Sequence, residues 1–192
     1  MRLRGLYAVT PDALAFEKIE QALQGGAALL QYRRKRRDLA EARACVALAR
    51  RYAVPVIVND DVELALEVDA DGAHLGREDG DVAAARRRLG AKILGASCYN
   101  DAGLARAAVR AGADYVAFGS LFASPTKPAA VRAPLSLFSH NLGVPKAAIG
   151  GITLENAGQV LAAGADLLAV ISDLFDAPDV AQRAAQYRAL FA

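Results

Sequence analysis

The chain has 192 residues and a formal net charge of +2, and 54% of its residues are hydrophobic. This length fits a single domain over residues 1–192, since a chain of this size buries roughly two thirds of its unfolded surface, and the composition argues against disorder and bulk nucleic-acid binding. No apolar run approaches the ~20 residues that span a bilayer and no signal peptide precedes the first predicted strand, so we expect a cytoplasmic protein without a membrane partner.

Short apolar runs rich in Val, Ile, Leu and Tyr alternate along the chain with longer Ala/Arg/Glu stretches of helical period. The predicted strands are residues 6–10, 29–33, 54–59, 72–75, 93–97, 115–119, 147–151 and 168–172. The predicted helices include residues 13–24, 39–52, 82–89, 101–110 and 154–163. Each helix is about as long as a crossover between parallel strands requires, so the pattern predicts the α/β class.

Internal repetition narrows the architecture. Residues 111–118 (AGADYVAF) and 163–170 (AGADLLAV) are close copies, and residues 25–32 (GGAALLQY) are a looser one. In each copy a glycine ends a helix where left-handed dihedrals are needed, and a buried strand starts at once. This repetition favours a single (β/α)8 TIM barrel over the alternative of a doubly wound open sheet. The long non-periodic stretch at residues 121–133 is typical of a functional loop.

Basic and amide residues follow the second predicted strand, at the end where parallel barrels carry their chemistry. Alternation points Gln31, Arg33 and Lys35 one way, and Tyr32 and Arg34 the other. Two cations and an amide at one mouth suit a diphosphate. The alternative is that the basic run is a solvated surface or a nucleic-acid patch.

Acidic residues follow the next two strands, with Asp60 and Asp61 after the third and Asp79 after the fourth. Carboxylates from adjacent strand ends can share a hard cation, and Mg²⁺ is the natural candidate, with Asp60 and Asp79 as its predicted ligands. The alternative for any single Asp is helix N-capping, which we expect of Asp61 or Asp81. We expect His74 to be a packed, hydrogen-bonded histidine rather than a base.

The remaining strand ends carry donors for anions. Ser97 ends the fifth strand without an adjacent base, so it reads as a hydrogen-bond donor and not as a nucleophile. Lys127 lies on the Pro-containing loop after the sixth strand, where it could close over bound anions or be a surface lysine. Gly150 and Gly151 after the seventh strand, with Ser172 after the eighth, fit the phosphate site of barrel loops seven and eight.

The two cysteines, Cys45 and Cys98, are expected to be reduced and buried, because no secretory signal accompanies them. They are not expected to form a disulfide or a metal pair. Neither has a predicted catalytic role.

Along almost its whole length the chain resembles the thiamine-phosphate synthase family. Several motifs coincide in order, and together they are specific. They are residues 31–35 (QYRRK), 58–60 (VND), 72–76 (GAHLG) with Asp79, 95–97 (GAS), 118–119 (FG) through 124–127 (SPTK), 148–152 (AIGGI) and 171–172 (IS).

The resemblance implies a role for each matching residue. A pyrimidine diphosphate would be held by Gln31, Arg33, Lys35, Asn59, Ser97 and Lys127, and its Mg²⁺ by Asp60 and Asp79. A thiazole phosphate would be held by Ser124, Thr126, Gly151, Ile171 and Ser172. The implied catalytic groups are Arg33, Lys35, Ser97 and Lys127.

The implied reaction joins 4-amino-2-methyl-5-pyrimidinylmethyl diphosphate to 4-methyl-5-(2-phosphoethyl)thiazole, or to its carboxylated form. Diphosphate leaves the methylene carbon, a resonance-stabilised cation forms, and the thiazole nitrogen captures it to give thiamine phosphate. The expected partners are therefore small-molecule substrates, and formation of a homo-oligomer is left open.

Four positions depart from the family pattern. Arg34 stands where an acidic residue is common, Arg77 where Gln is frequent, Ser124 where Thr is usual and Tyr99 where a His often follows the serine.

Two other functions are weighed against the implied one. One alternative is a thiazole tautomerase of the same fold, which tends to lack the diphosphate and Mg²⁺ set and to use a His at the Tyr99 position. The other is a non-catalytic barrel that binds a phosphorylated metabolite and regulates a partner. The retained diphosphate and Mg²⁺ set and the Tyr at position 99 both argue against the tautomerase, and the retained acidic and basic residues argue against the regulatory barrel.

Overall fold

The computed structural model describes residues 3–123 and 131–192. Within these residues eight parallel strands close into a barrel in chain order. They are β1 (Gly5–Val9), β2 (Leu29–Tyr32), β3 (Val56–Asn59), β4 (Gly72–Leu75), β5 (Ile93–Tyr99), β6 (Tyr115–Phe118), β7 (Lys146–Ile149) and β8 (Leu167–Val170). The closed sheet confirms the predicted (β/α)8 barrel and excludes the doubly wound alternative.

Helices follow the strands around the outside of the barrel. They are α1 (Phe16–Gln24), α2 (Leu39–Arg50), α3 (Val62–Glu67), α4 (Val82–Leu89), α5 (Ala102–Arg110), α6 (Leu154–Ala162), α7 (Ser172–Phe175) and α8 (Val180–Ala189), with a 3-10 turn at Leu135–Ser139. In the ranges that the structure covers, every helix is too short or too polar to cross a membrane.

The element ends differ slightly from the prediction. The third strand begins at Val56 instead of residue 54, because Pro55 has no N–H to donate to the sheet. Helix α1 begins at Phe16 instead of residue 13, after a loop in which Asp12 bonds to the end of β2. Strands β2, β7 and β8 end at Tyr32, Ile149 and Val170, so the residues after them lie on the loops of the C-terminal rim.

Side chains alternate between two apolar layers, as strands of period two require. The inward layer fills the barrel and includes Tyr7, Leu29, Ile57 and Tyr115. The outward layer packs against the helices. By the same alternation Gln31, Asn59, His74 and Ser97 occupy inward positions, so four strands carry polar groups toward the barrel interior.

The repeated AGAD segments build the N-terminal rim of the barrel. Gly112 has a φ of 101°, in the left-handed region that favours glycine. Two residues later the Asp114 carboxylate accepts the N–H of Leu94 at 2.8 Å, while the Asp114 N–H donates to Leu94 O at 2.7 Å. The carboxylate thus satisfies the backbone of the neighbouring strand. The same arrangement joins Asp166 to Lys146 and Asp71 to Val56.

Both cysteines are free and buried, as predicted. Burial raises the pKa of the Cys45 thiol to about 12 and that of Cys98 to about 12. A raised pKa favours the protonated thiol, which is the less reactive form of cysteine.

Candidate active site at the C-terminal rim

The end of β2 is fastened to the end of β1. The Arg33 N–H donates to the hydroxyl of the buried Thr10 at 2.9 Å. The Lys35 N–H donates to Asp12 Oδ1 at 2.7 Å, and Lys35 Nζ lies 3.3 Å from Asp12 Oδ2. Desolvation raises the pKa of Asp12, but hydrogen bonds and charge from Lys35, with a smaller contribution from Arg33, lower it overall. The two predicted diphosphate cations therefore lie at one rim, beside the same carboxylate.

The alternation predicted for this run is also observed on its other face. The Tyr32 hydroxyl donates to Glu41 at 3.0 Å, and Arg34 Nη2 donates to the same carboxylate at 2.5 Å. The Arg34 side chain is only 10% exposed, so this part of the run is not a solvated surface. Arg34 Nη1 also donates, within 2.8–2.9 Å, to Thr10 Oγ1, Pro11 O and Arg33 O.

The two predicted metal ligands follow adjacent strands at this rim. The Asp60 N–H donates to the His74 carbonyl at 2.8 Å, and Asn59 Nδ2 donates to the Asp60 carboxylate at 2.5 Å. The Asp79 carboxylate accepts the N–H of Gly76 at 2.8 Å. Because His74 and Gly76 are two residues apart at the end of β4, both carboxylates sit at the same edge of the barrel.

The neighbouring aspartates are helix caps, as expected. The Asp61 side chain accepts the N–H of Leu64 at 2.8 Å, and the Asp81 side chain accepts the N–H of Ala84 at 2.7 Å. Across residues 3–123 and 131–192 there is no group of three or more His, Cys, Asp or Glu side chains able to hold a metal. Two carboxylates completed by phosphate oxygens of a substrate remain a donor set that suits Mg²⁺.

A chain of hydrogen bonds, buried except at its Ser97 end, crosses the barrel below the rim. Gln31 Nε2 donates to the Tyr7 hydroxyl at 2.7 Å, and the two hydroxyls of Tyr7 and Tyr115 are 2.7 Å apart. The Tyr115 hydroxyl lies 2.9 Å from His74 Nδ1, and His74 Nε2 lies 2.9 Å from Ser97 Oγ. Burial lowers the pKa of His74 to about 4, although the Asp79 charge opposes this, so the ring is neutral at physiological pH.

The chain places His74 as predicted, packed and hydrogen-bonded. Tyr7 and Tyr115, which join this hydrogen-bond chain, were not predicted from the sequence as site residues, because they read as ordinary strand residues. The available signal was their inward register, since a buried tyrosine hydroxyl needs a hydrogen-bond partner.

The glycines after β7 are required by backbone geometry. Gly150 and Gly151 have φ values of 101° and 65°. A Cβ on Gly151 would lie 2.5 Å from the carbonyl oxygen of Ala123, so the loop after β6 approaches this turn closely. Asn156 Nδ2 donates to Gly151 O at 2.9 Å and fixes the turn to α6.

The end of β8 completes the rim. Ile171 is the N-cap of α7, and its carbonyl accepts the N–H of Phe175 at 2.9 Å. Ser172 is the exposed first residue of this helix. Gly151, Ile171 and Ser172 therefore lie at the C-terminal ends of adjacent strands. The predicted residues Ser124, Thr126 and Lys127 lie outside the described residues.

Two of the departures from the family pattern contact each other. The Arg77 N–H donates to the Tyr99 hydroxyl at 3.1 Å, and the Arg77 guanidinium lies 4.9 Å from the centre of the Tyr99 ring. Tyr99 has a φ of 53°, at a register shift between Ser97 and Tyr99 in the β5–β6 pairing. A bulge of this kind redirects side chains at the end of a strand.

Comparisons with known proteins agree with this geometry. The sequence profile of a family described as thiamine monophosphate synthase matches residues 6–174. The thiamine-phosphate synthase of Aromatoleum aromaticum is 61% identical, covering 99% of this chain and 97% of its own length. That of Chromobacterium violaceum is 56% identical, covering 95% and 94%.

Solved structures give the same result. A thiamine phosphate pyrophosphorylase from Pyrococcus furiosus superposes with a TM-score of 0.89 at 34% identity, covering 98% of this chain and 96% of its own. A 3-hexulose-6-phosphate synthase with a TM-score of 0.76 is 20% identical and shares the fold alone.

Proposed function

Because the chain belongs to the thiamine monophosphate synthase family, we propose that its C-terminal rim joins a pyrimidine diphosphate to a thiazole phosphate and releases diphosphate. The chain is a transferase of thiamine biosynthesis, and its relatives favour this activity over a thiazole tautomerase or a regulatory barrel. The observation that supports the assignment of the site is that the cations after β2 and the carboxylates after β3 and β4 lie at the same rim of the barrel.

Departure of the diphosphate is the step that these charges assist. The bond between the methylene carbon and the diphosphate oxygen breaks, and both electrons leave on the oxygen. Arg33, Lys35 and Lys127 stabilise the charge that builds there, and one well-placed donor contributes about 3 kcal/mol. Mg²⁺ held by Asp60 and Asp79, when bound, would neutralise further charge on the diphosphate oxygens.

Capture of the resulting cation needs no side-chain nucleophile. The lone pair of the thiazole nitrogen forms the new bond to the methylene carbon, and no proton has to move. The protonated, buried thiols of Cys45 and Cys98 are consistent with this chemistry.

Orientation of the thiazole is the second contribution of the rim. Gly151, Ile171 and Ser172, with Ser124 and Thr126, hold the thiazole phosphate in the proposal, while Gln31, Asn59 and Ser97 hold the pyrimidine side. Fixing two reactants in this way can supply on the order of 7 to 11 kcal/mol of the barrier. The proposal includes a cytoplasmic location and one domain that acts on small-molecule substrates, with no nucleic-acid or membrane partner.

The test is to incubate the purified chain with both substrates, with Mg²⁺ or with a chelator, and to quantify thiamine phosphate and diphosphate. We expect equal amounts of both products with Mg²⁺ and loss of both with chelator. A matched pair of variants locates the site. Asp60→Asn keeps a side chain that tolerates the left-handed φ of 66°, and it should reduce turnover at least about 100-fold.

The control is Asp61→Asn, one residue further on. It preserves the helix cap, because Asn and Asp are equally good N-caps, and it should leave turnover near the wild-type value. Full turnover in Asp60→Asn, or equal losses in both variants, would refute the metal assignment. Absence of thiamine phosphate from the wild-type reaction would refute the function itself.

A further inference from the structure

We propose that Tyr7, Tyr115 and His74 are positioning residues. They form a hydrogen-bond chain between Gln31 and Ser97, and they determine which of these two end groups donates to the substrate and which accepts from it. In this arrangement the Ser97 hydroxyl donates to the pyrimidine diphosphate, and Gln31 Oε1 accepts from it. The identity of the substrate rests on the proposed function, but the direction of the chain rests on contacts within the barrel.

The hydrogen-bond chain has the geometry needed to give all its links the same donor-to-acceptor direction. Its side chains come from β1, β2, β4, β5 and β6, so it spans the barrel interior from Gln31 to Ser97. Tyr7 and Tyr115 are 1% and 0% exposed, and each of the four links is 2.7–2.9 Å long. Among residues 3–123 and 131–192, no buried side-chain nitrogen or oxygen lacks a hydrogen-bond partner. A buried proton without an acceptor is costly, so we expect each proton in this hydrogen-bond chain to have one.

Counting protons from Gln31 sets the direction. Gln31 Nε2 donates to the Tyr7 hydroxyl, so Tyr7 can satisfy its own proton only by donating to Tyr115. Tyr115 must in turn donate to His74 Nδ1. The imidazole then carries its proton on Nε2 and donates to Ser97 Oγ. A proton on Nδ1, alone or in an imidazolium, would leave the Tyr7 proton without an acceptor inside the barrel.

The ends of the chain then match the chemistry of the substrate. Ser97 Oγ accepts from His74, so its own hydrogen is available to an oxygen of the diphosphate, which can only accept. Gln31 spends its amide N–H on Tyr7, so its carbonyl oxygen is available to the amino group of the pyrimidine, which donates. The opposite orientation of the Gln31 amide would reverse every link, and Ser97 would then donate into the histidine ring instead of to the substrate.

Packing keeps the rings in this arrangement. The His74 and Tyr115 rings stack with centroids 5.5 Å apart, and the Tyr7 and Tyr115 rings meet edge to face at 5.9 Å. Gly95 leaves the space that they occupy, since a Cβ there would overlap the Tyr115 ring and lie 2.5 Å from His74 Nδ1. This packing keeps the two tyrosine rings and the imidazole in contact with each other.

The direction of the hydrogen-bond chain is measured by NMR on the intact protein, labelled with ¹⁵N-histidine, at neutral pH. The chain has two histidines, and His140 is exposed, so the signals of the buried His74 can be assigned with a His140→Asn variant. We expect one bonded proton, on Nε2 of His74, and none on Nδ1. A proton on Nδ1, or on both nitrogens, overturns the proposal. This result does not depend on whether the chain makes thiamine phosphate.

The consequence for the substrate is measured by steady-state kinetics of Tyr115→Phe. Removing this hydroxyl interrupts the chain between Tyr7 and His74, so we expect the KM for the pyrimidine diphosphate to rise about tenfold. The KM for the thiazole phosphate should stay the same, which a general loss of structure would not produce. Tyr52→Phe deletes a hydroxyl bonded to Glu20 outside the barrel and should change neither KM. Equal changes in the two KM values of Tyr115→Phe would overturn the positioning role.

Discussion

The two rims of the barrel use aspartate in opposite ways. At the N-terminal rim Asp71, Asp114 and Asp166 each accept an N–H near the start of a neighbouring strand, and the same bond recurs around the barrel. At the C-terminal rim Asp60 and Asp79 follow β3 and β4, and their carboxylates accept hydrogen bonds from a side-chain amide and a loop N–H. The repeated carboxylates complete the sheet, whereas the unrepeated ones stand where a ligand binds in barrels of this type.

Backbone conformation alone does not separate the two rims. Asp60 and Tyr99 have left-handed φ values of 66° and 53°, beside predicted site residues. Ala53 and Asp69 have φ values of 54° and 52° at the other rim, where no site is predicted. The two rims differ in the chemistry of the side chains that lie there, so substitutions of side chains are the experiments that can test this difference.

The largest expected effect on stability comes from His74, below the C-terminal rim. Burial lowers its pKa from the ordinary value of 6.5 to about 4. Between these values the unfolded chain binds a proton that the folded chain excludes, so the free energy of unfolding falls as the pH drops from 6.5 to 4. The total loss is about 3 kcal/mol. Urea unfolding between pH 7 and pH 4 measures it.

The other rim should respond to acid in a separate window. Hydrogen bonds and charge from Lys92 and Arg50 lower the pKa of the exposed Asp69, so any stability from these pairs is present above its ordinary pKa of 3.8 and is lost only below it. His74→Asn removes the titrating ring, so it should flatten the dependence of the free energy of unfolding on pH above pH 4. His140→Asn should retain this dependence. An unchanged slope in His74→Asn would move the acid sensitivity away from the barrel interior.

The sequence was sufficient for the barrel because its signals are periodic and local. Alternation of strands and helices, and the glycine before each repeated strand, follow from backbone requirements that leave a mark on every copy. The capping roles of Asp61 and Asp81 were readable for the same reason, since a cap acts within three residues. The aspartates of the AGAD repeats were visible as a pattern, but their bonds to a neighbouring strand were not.

The rim was harder to read because its contacts join distant parts of the chain. The bond between Tyr7 and Tyr115 spans 108 positions, and no local pattern marks two tyrosines as partners. The Arg34 contact with Pro11 depends on how the loop after β1 folds over the end of β2. Strand alternation could say which side chains face inward, but it could not say which of them touch.

A smaller effect is expected at the N-terminal rim. Asp114→Ala leaves the N–H of Leu94 without its acceptor and removes the partner of Arg86, whose Nη2 lies 2.5 Å from the carboxylate. We expect the free energy of unfolding to fall by about 2 kcal/mol, with turnover of the folded enzyme unchanged. Chemical denaturation and an activity assay on the same sample measure both. Asp176→Ala, at an exposed position, is the control, and a loss of turnover in Asp114→Ala would erase the distinction between the rims.

The smallest expected effect is that of substituting Arg34. It tests whether this residue of the basic run contributes through its position or only through its charge. Arg34→Ala removes the guanidinium that links Arg33 O and Pro11 O to Glu41. The backbone of the basic run, which carries the cations predicted to bind the diphosphate, is then held less firmly. We expect the KM for the pyrimidine diphosphate to rise about fivefold, equivalent to about 1 kcal/mol.

Arg36→Ala is the matched control, because it removes the same charge from an exposed position two residues away. If position is what matters, Arg36→Ala should leave this KM within about twofold of the wild-type value, as expected for a screened surface charge. Equal increases in the two variants would mean that the run attracts the anion by its summed charge. Arg34 would then be one cation among several.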